Sequence, residues 1–189
     1  MQHLICLFLL LACIQLGAQD FAAIDQSVMD AAYYPSQAPL RSFAKTEEER
    51  LANEPKIRVL YSRPLKKERT IFGDLLQYGE PWRVGANEST EVLFMQDVKF
   101  GEQVVPAGRY TMIVIPGEDS WTVNLNTELD GWGNFSYDPE WDLASVTVPV
   151  QTSDEVIEAV SMALYEASPG VVHLKMGWDT SYVEVPITL

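Results

Sequence analysis

The sequence is short of the residues on which most metal proteins and many enzymes rely. It has two cysteines, Cys6 and Cys13, and two histidines, His3 and His173. Both cysteines and His3 fall within the opening stretch "MQHLICLFLLLACIQLGAQD". An apolar run there, Leu4 to Ile14, leads into the small-residue exit Leu16-Gly17-Ala18. That pattern reads as a secretory signal peptide, residues 1–18, cleaved after Ala18, and the run is too short to span a bilayer as a helix. Leu10-Leu11-Ala12-Cys13 also resembles a lipoprotein box with Cys13 lipidated, but "LGAQ" is the better exit and ordinary cleavage is preferred. Either way the expected location is exported, periplasmic or extracellular. The chain beyond Ala18 then has no cysteine and one histidine. Disulfides, thiolate sites, cysteine nucleophiles and multi-histidine centres drop out of the expectation.

Positive charge is the second shortage. Thirteen Lys and Arg stand against 27 Asp and Glu, a net charge of −14. Such a surface repels nucleic acid and anionic lipid, so neither nucleic acid nor a membrane span is expected, and the charge serves solubility. There is no G-x-S-x-G elbow, and alternation puts His173 on the polar face of a strand beside Lys175, which leaves a Ser–His–Asp arrangement without footing. The acidic stretch "DGWGNFSYDPEWD", residues 130–142, lacks the regular oxygen spacing of a calcium loop. It reads as an irregular surface loop with aromatic anchors. No catalytic residue, metal or cofactor is expected.

What is present suits one β domain. The chain has 189 residues, 47% of them hydrophobic, and a chain of that size buries about 70% of its unfolded surface. Residues 19–55 show no strand alternation and read as an irregular arm, with Tyr33-Tyr34 as its docking anchor and a short helix in "TEEERLAN", where Thr46 and Glu49 fit a capping box. From Lys56 to the end, residues 56–189, the period is two. Ile57 and Val59 share a face. "VKFGEQVV" and "GRYTMIVI-PGED-SWTVNLN" read as hairpins. In the second, Trp121, Val123 and Leu125 point inward while Thr122, Asn124 and Asn126 point out. Pro149 puts "SVTVPV" at a sheet edge. "EVIEAVSMALY" fits either period and is read as a strand from its neighbours. "VVHLKMGW" sends Val172, Leu174, Met176 and Trp178 to the core before a turn at Asp179-Thr180. Roughly nine short strands predict an all-β fold, an antiparallel β-sandwich or jelly-roll in a single domain.

The segments "YSRP" (61–64), "RTIFGDLLQYGEPWRVGANESTE" (69–91), "PAGRYTMIVIPGEDSWTVNLN" (106–126) and the closing "VPI" resemble the bacterial family of domain of unknown function 2911, over about residues 56–188. The "WR-x-GANE" block carries most of the likeness. The resemblance implies an exported protein of Bacteroidetes-type bacteria and no particular activity.

Two stretches attract a ligand reading. Residues 56–69, "KIRVLYSRPLKKER", hold six basic residues against Glu68 alone, a net of +5 in a chain of −14. Arginines there suit a carboxylate, a phosphate or an acidic sugar, although the island can equally pair with the protein's own acids. In "GEPWRVGANESTE", Trp82 offers an apolar wall and Arg83, Asn87 and Glu88 offer polar contacts, or the same residues build a structural turn. The expected ligand-binding set is Arg63, Arg69, Trp82, Arg83, Asn87 and Glu88. The favoured function is a non-catalytic envelope module that binds a small anionic ligand, a glycan or a partner. The alternative is a carbohydrate hydrolase with two carboxylates drawn from Asp74, Glu80, Glu88 and the 130–142 loop.

Overall fold

A computed structural model describes residues 21–189, so the expected signal peptide and Cys13 lie outside the described residues. The strands are β1 (Met29–Tyr34), β2 (Ile57–Ser62), β3 (Thr90–Phe94), β4 (Val98–Phe100), β5 (Gln103–Val105), β6 (Gly108–Pro116), β7 (Ser120–Asn126), β8 (Asp142–Pro149), β9 (Gln151–Ser168) and β10 (Val171–Thr188). They form two antiparallel sheets, β1-β2-β3-β6-β7-β8 and β5-β4-β10-β9. The expected all-β sandwich is the fold. The α-helix α1 (Glu47–Ala52) stands where the capping signal put it: Thr46 accepts from the Glu49 N–H at 3.0 Å. The Glu49 carboxylate reaches back one residue further than a capping box requires, to the Lys45 N–H at 2.8 Å.

Period-two alternation builds the core. Tyr110, Met112 and Val114 of β6 and Trp121, Val123 and Leu125 of β7 point into the sandwich. They meet Val172, Leu174, Met176 and Trp178 of β10 in one buried cluster. Each such side chain contributes roughly 1.5–3 kcal/mol on burial.

The structure departs from the sequence expectation at one place and adds to it at another. Residues 29–34, assigned to an irregular arm, are strand β1, which lies antiparallel against β2 with Tyr34 opposite Ile57. "MDAAYY" carries little alternation because a strand at the rim buries only Ala32 fully. Asn124 and Asn126 do point away from the sandwich, yet they are only 4% and 1% exposed. The chain from 127 to 142 folds over them and supplies partners. Asn124 Nδ2 donates to the Tyr137 hydroxyl at 3.0 Å, and that hydroxyl donates to Asp142 Oδ2 at 2.7 Å. Asn126 Nδ2 donates to Asp142 Oδ1 at 2.8 Å and to Asp138 O at 2.9 Å. These are polar groups buried with their hydrogen bonds made.

β10 doubles back on itself. An extended run from His173 to Glu184 would cover roughly 36 Å, yet their side chains lie 3.8 Å apart and Lys175 Nζ is 3.7 Å from the same carboxylate. The Leu189 N–H donates to Gly170 O at 2.9 Å, closing the far end of the hairpin. The reversal falls at Asp179, where φ is +57°, the turn expected at Asp179-Thr180. β9 starts against one arm (Gln151 opposite Tyr182), rounds the tip, and ends against the other (Tyr165 opposite His173). Gly177 permits the bend, since a Cβ there would sit 2.7 Å from Tyr182 Cβ and 2.9 Å from Ser181 O.

Candidate functional site

The "GEPWRVGANESTE" segment is positioned by the backbone on both sides of Trp82. Trp82 exchanges two hydrogen bonds with Val114, at 2.7 and 2.9 Å, and so prolongs the sheet on the lane that β3 vacates. Its ring is 4% exposed. It stacks on Trp178 with centroids 6.1 Å apart and planes 16° apart, and meets Phe72 and Trp121 edge-on. Next comes Val84, fully buried at φ +58°. A β-branched residue in the left-handed region costs on the order of 1–3 kcal/mol and persists only where its surroundings fix it. Here Thr90 donates from Oγ1 to Val84 O at 3.1 Å. Ser62 Oγ accepts from the Ala86 N–H at 2.6 Å and donates to Ala86 O at 2.5 Å. Gly85 is what lets the loop sit on Ser62: a Cβ would lie 2.8 Å from Ser62 Oγ and 3.0 Å from Ser62 O.

This backbone delivers Arg83 into a surface trough made of three adjoining hollows. The first, about 370 Å³, is lined by Gln26, Ser27, Leu65 and Lys67, and shares Pro64, Arg69 and Ala86 with the second, of about 250 Å³. The second shares Leu75, Leu76, Trp82 and Arg83 with the third, about 270 Å³, which is completed by Glu80 and Asn134. Asn134 is held by donation from Nδ2 to Pro81 O at 2.7 Å. Arg69 lies with its guanidinium carbon 5.7 Å from the Trp178 ring centroid, a cation–π distance, and donates to the backbone oxygens of Leu65 and Lys66. Neither Arg69 nor Arg83 has a carboxylate within salt-bridge reach among the described residues. Arg83 Nε is buried with no hydrogen-bond partner. Burial alone pulls the Arg83 guanidinium below the usual arginine range.

The trough brings together three of the six residues selected from the sequence: Arg69, Trp82 and Arg83. The other three go elsewhere. Arg63 is occupied, donating to Asp30 Oδ2 at 2.9 Å, Val160 O at 3.0 Å and Ser161 Oγ at 3.0 Å. Asn87 takes a left-handed φ of +60° in the turn and lines no hollow described above. Glu88 faces a separate acidic hollow of about 260 Å³, together with Glu91, Asp130 and apolar Met29, Leu60 and Leu129. Trp178, Lys67 and Asn134 line the trough without having been selected. Alternation did mark Trp178, but only as core. Among the described residues, no three His, Asp or Glu side chains gather as a metal group would require.

A family model described as a protein of unknown function (DUF2911) matches residues 42–187. The chain belongs to that family. The DUF2911 match begins ahead of Lys56, takes in α1 as well as β2 to β9 and nearly all of β10, and leaves β1 outside. It covers every residue of the trough except Gln26 and Ser27. No curated protein and no solved structure matches the chain.

Proposed function

We propose that this DUF2911 protein is an exported, non-catalytic binding module of the cell envelope, and that its ligand is anionic and binds in the trough. The observation that carries this reading is Arg83, a guanidinium drawn partly out of water, its Nε unpartnered and no carboxylate beside it. A buried donor without an acceptor costs about 1–3 kcal/mol, and an anion placed against the rest of the same guanidinium would offset part of that. Arg69 adds a second charge, and the edges of Trp82 and Trp178 add apolar wall. The hydrolase alternative needs two carboxylates facing one cleft. Among the described residues Glu80 is the single acid lining the trough, and of the three acids in the acidic hollow, Glu88, Glu91 and Asp130, the last two accept from Arg109.

The test is calorimetric titration with glucuronate, acetate and inorganic phosphate. At least one is expected to bind, and Arg83→Ala is expected to weaken it by about tenfold or more, the loss of a charge-assisted hydrogen bond, with the melting temperature unchanged. Equal binding by Arg83→Ala would remove the trough from the account.

A further inference from the structure

The trough has a third charge, and the distribution of cations over the molecule points to the shape of its ligand. Of the thirteen Lys and Arg, eight lie within 4.0 Å of a carboxylate among the described residues. The remaining five are Lys45, Lys56, Lys67, Arg69 and Arg83. In a chain with two acids for every base, three of those five line one trough: Lys67 in the first hollow, Arg69 where the first meets the second, and Arg83 where the second meets the third. Lys67 is held there by its backbone, at φ +55° with its N–H donating to Glu158 Oε1 at 2.8 Å, which leaves the ammonium unengaged by that bond. Between the cations the walls are apolar: Pro64, Leu65, Leu75, Leu76 and Trp82.

A single small anion would use one of these positions and leave the rest unsatisfied. We infer that the trough takes a linear acidic polysaccharide, laid from the Lys67 end past Arg69 to Arg83, with carboxylates or sulfates meeting the cations and the C–H faces of the sugar rings on the apolar walls between them. This rests on the anion-binding reading above and specifies its ligand. Sparse charge is favoured over dense charge. A nucleic acid carries a phosphate on every unit and would meet the −14 charge of the whole chain, whereas a saccharide can bring anions only where cations wait. Phe135, 86% exposed, neighbours Gly133, whose Cβ position is 3.5 Å from Arg83 Nη1, and so extends an apolar surface beyond the Arg83 end.

The experiment compares monomeric glucuronate with hyaluronan oligosaccharides of increasing length, which carry one carboxylate on every second sugar, neutral dextran oligomers and an oligothymidylate of matched length, all titrated onto the protein. The affinity of the acidic saccharides is expected to rise with length, about tenfold or more from monomer to an oligomer long enough to engage a second cation. Neutral dextran should bind weakly or not at all. Lys67→Gln is expected to lower oligomer affinity several-fold, while Lys45→Gln, which removes the same charge outside the trough, changes neither oligomer nor monomer affinity. Monomer and oligomer binding equally would overturn the linear ligand and leave the anion site standing. Tighter binding of the oligothymidylate would overturn the saccharide. No binding by any anion would sink both this inference and the reading on which it rests.

Discussion

Two regions on either side of Pro64 use arginine in opposite ways. On one side is the seam where β1 meets β9, and there Arg63 ties Asp30 of β1 to the backbone and side chain of β9 at Val160 and Ser161. On the other is the trough, where Arg83 is drawn from water with Nε unpartnered. The two side chains belong to adjoining parts of one surface and to the same residue type. Their partners separate them, since a guanidinium whose charge is met by a carboxylate of its own fold, as Arg63 by Asp30, serves stability. One whose donors are left over is available to something else. The Arg83 backbone is also strained next door, at Val84, while the β1–β2 ladder is regular over all six paired residues.

The comparison can be broken or sharpened by substitution. The largest effect is expected from Gly85→Ala, because the new Cβ would press on the backbone oxygen of Ser62. A stability loss of about 3 kcal/mol in urea unfolding is expected. A neutral result would mean the loop is free to shift and Arg83 is not held in place. Next, Arg63→Met should lower stability by about 2 kcal/mol through its three lost hydrogen bonds, whereas Arg83→Met should stay within about 0.5 kcal/mol of wild type. Equal losses in the two variants would erase the distinction and make Arg83 a structural residue. The smallest effect is at Tyr137, a half-buried polar group that has its partners. Burial, and then the hydrogen bond to Asp142, pushes its hydroxyl up to about 12 from 10.0. Its protonated form is therefore favoured by folding. That contribution is complete below pH 10, where the unfolded chain also holds the proton, and is lost as the pH rises from 10 to 12. The melting-temperature gap between wild type and Tyr137→Phe is expected to narrow across that range. A constant gap would mean the hydroxyl is not held as described.

What could be read from the sequence follows from what generates each signal. Trp121, Val123 and Leu125 were legible because a period of two is set by the backbone itself and needs no knowledge of neighbours. The same pattern turned Asn124 and Asn126 outward, as found, and carries no word of what covers them. Polar residues opposite a core face are exposed only if nothing covers that face, and here the cover arrives from residues 127–142, with bonding that no local pattern announces. β1 was missed because a rim strand buries too little to alternate clearly. At the candidate site, Arg69, Trp82 and Arg83 were legible as residue types rich in contact chemistry. The separation of Glu88 from them was not, because the left-handed residues Val84 and Asn87 turn the chain between Arg83 and Glu88, and φ cannot be counted from letters. The engagement of Arg63 was hidden for a simpler reason: its partner Asp30 lies in the stretch read as an arm.

β1 has a consequence of another kind. It belongs to the large sheet but lies outside the residues shared with the DUF2911 family. A relative that lacked it would carry β2 as an open rim, with a row of backbone donors and acceptors facing water and Arg63 deprived of Asp30. Such a rim is a template for any extended chain, a second copy of the same protein included. Seen this way, six residues decide which strand forms the rim of the large sheet: β1 takes that place in this molecule, and the family pattern does not require it.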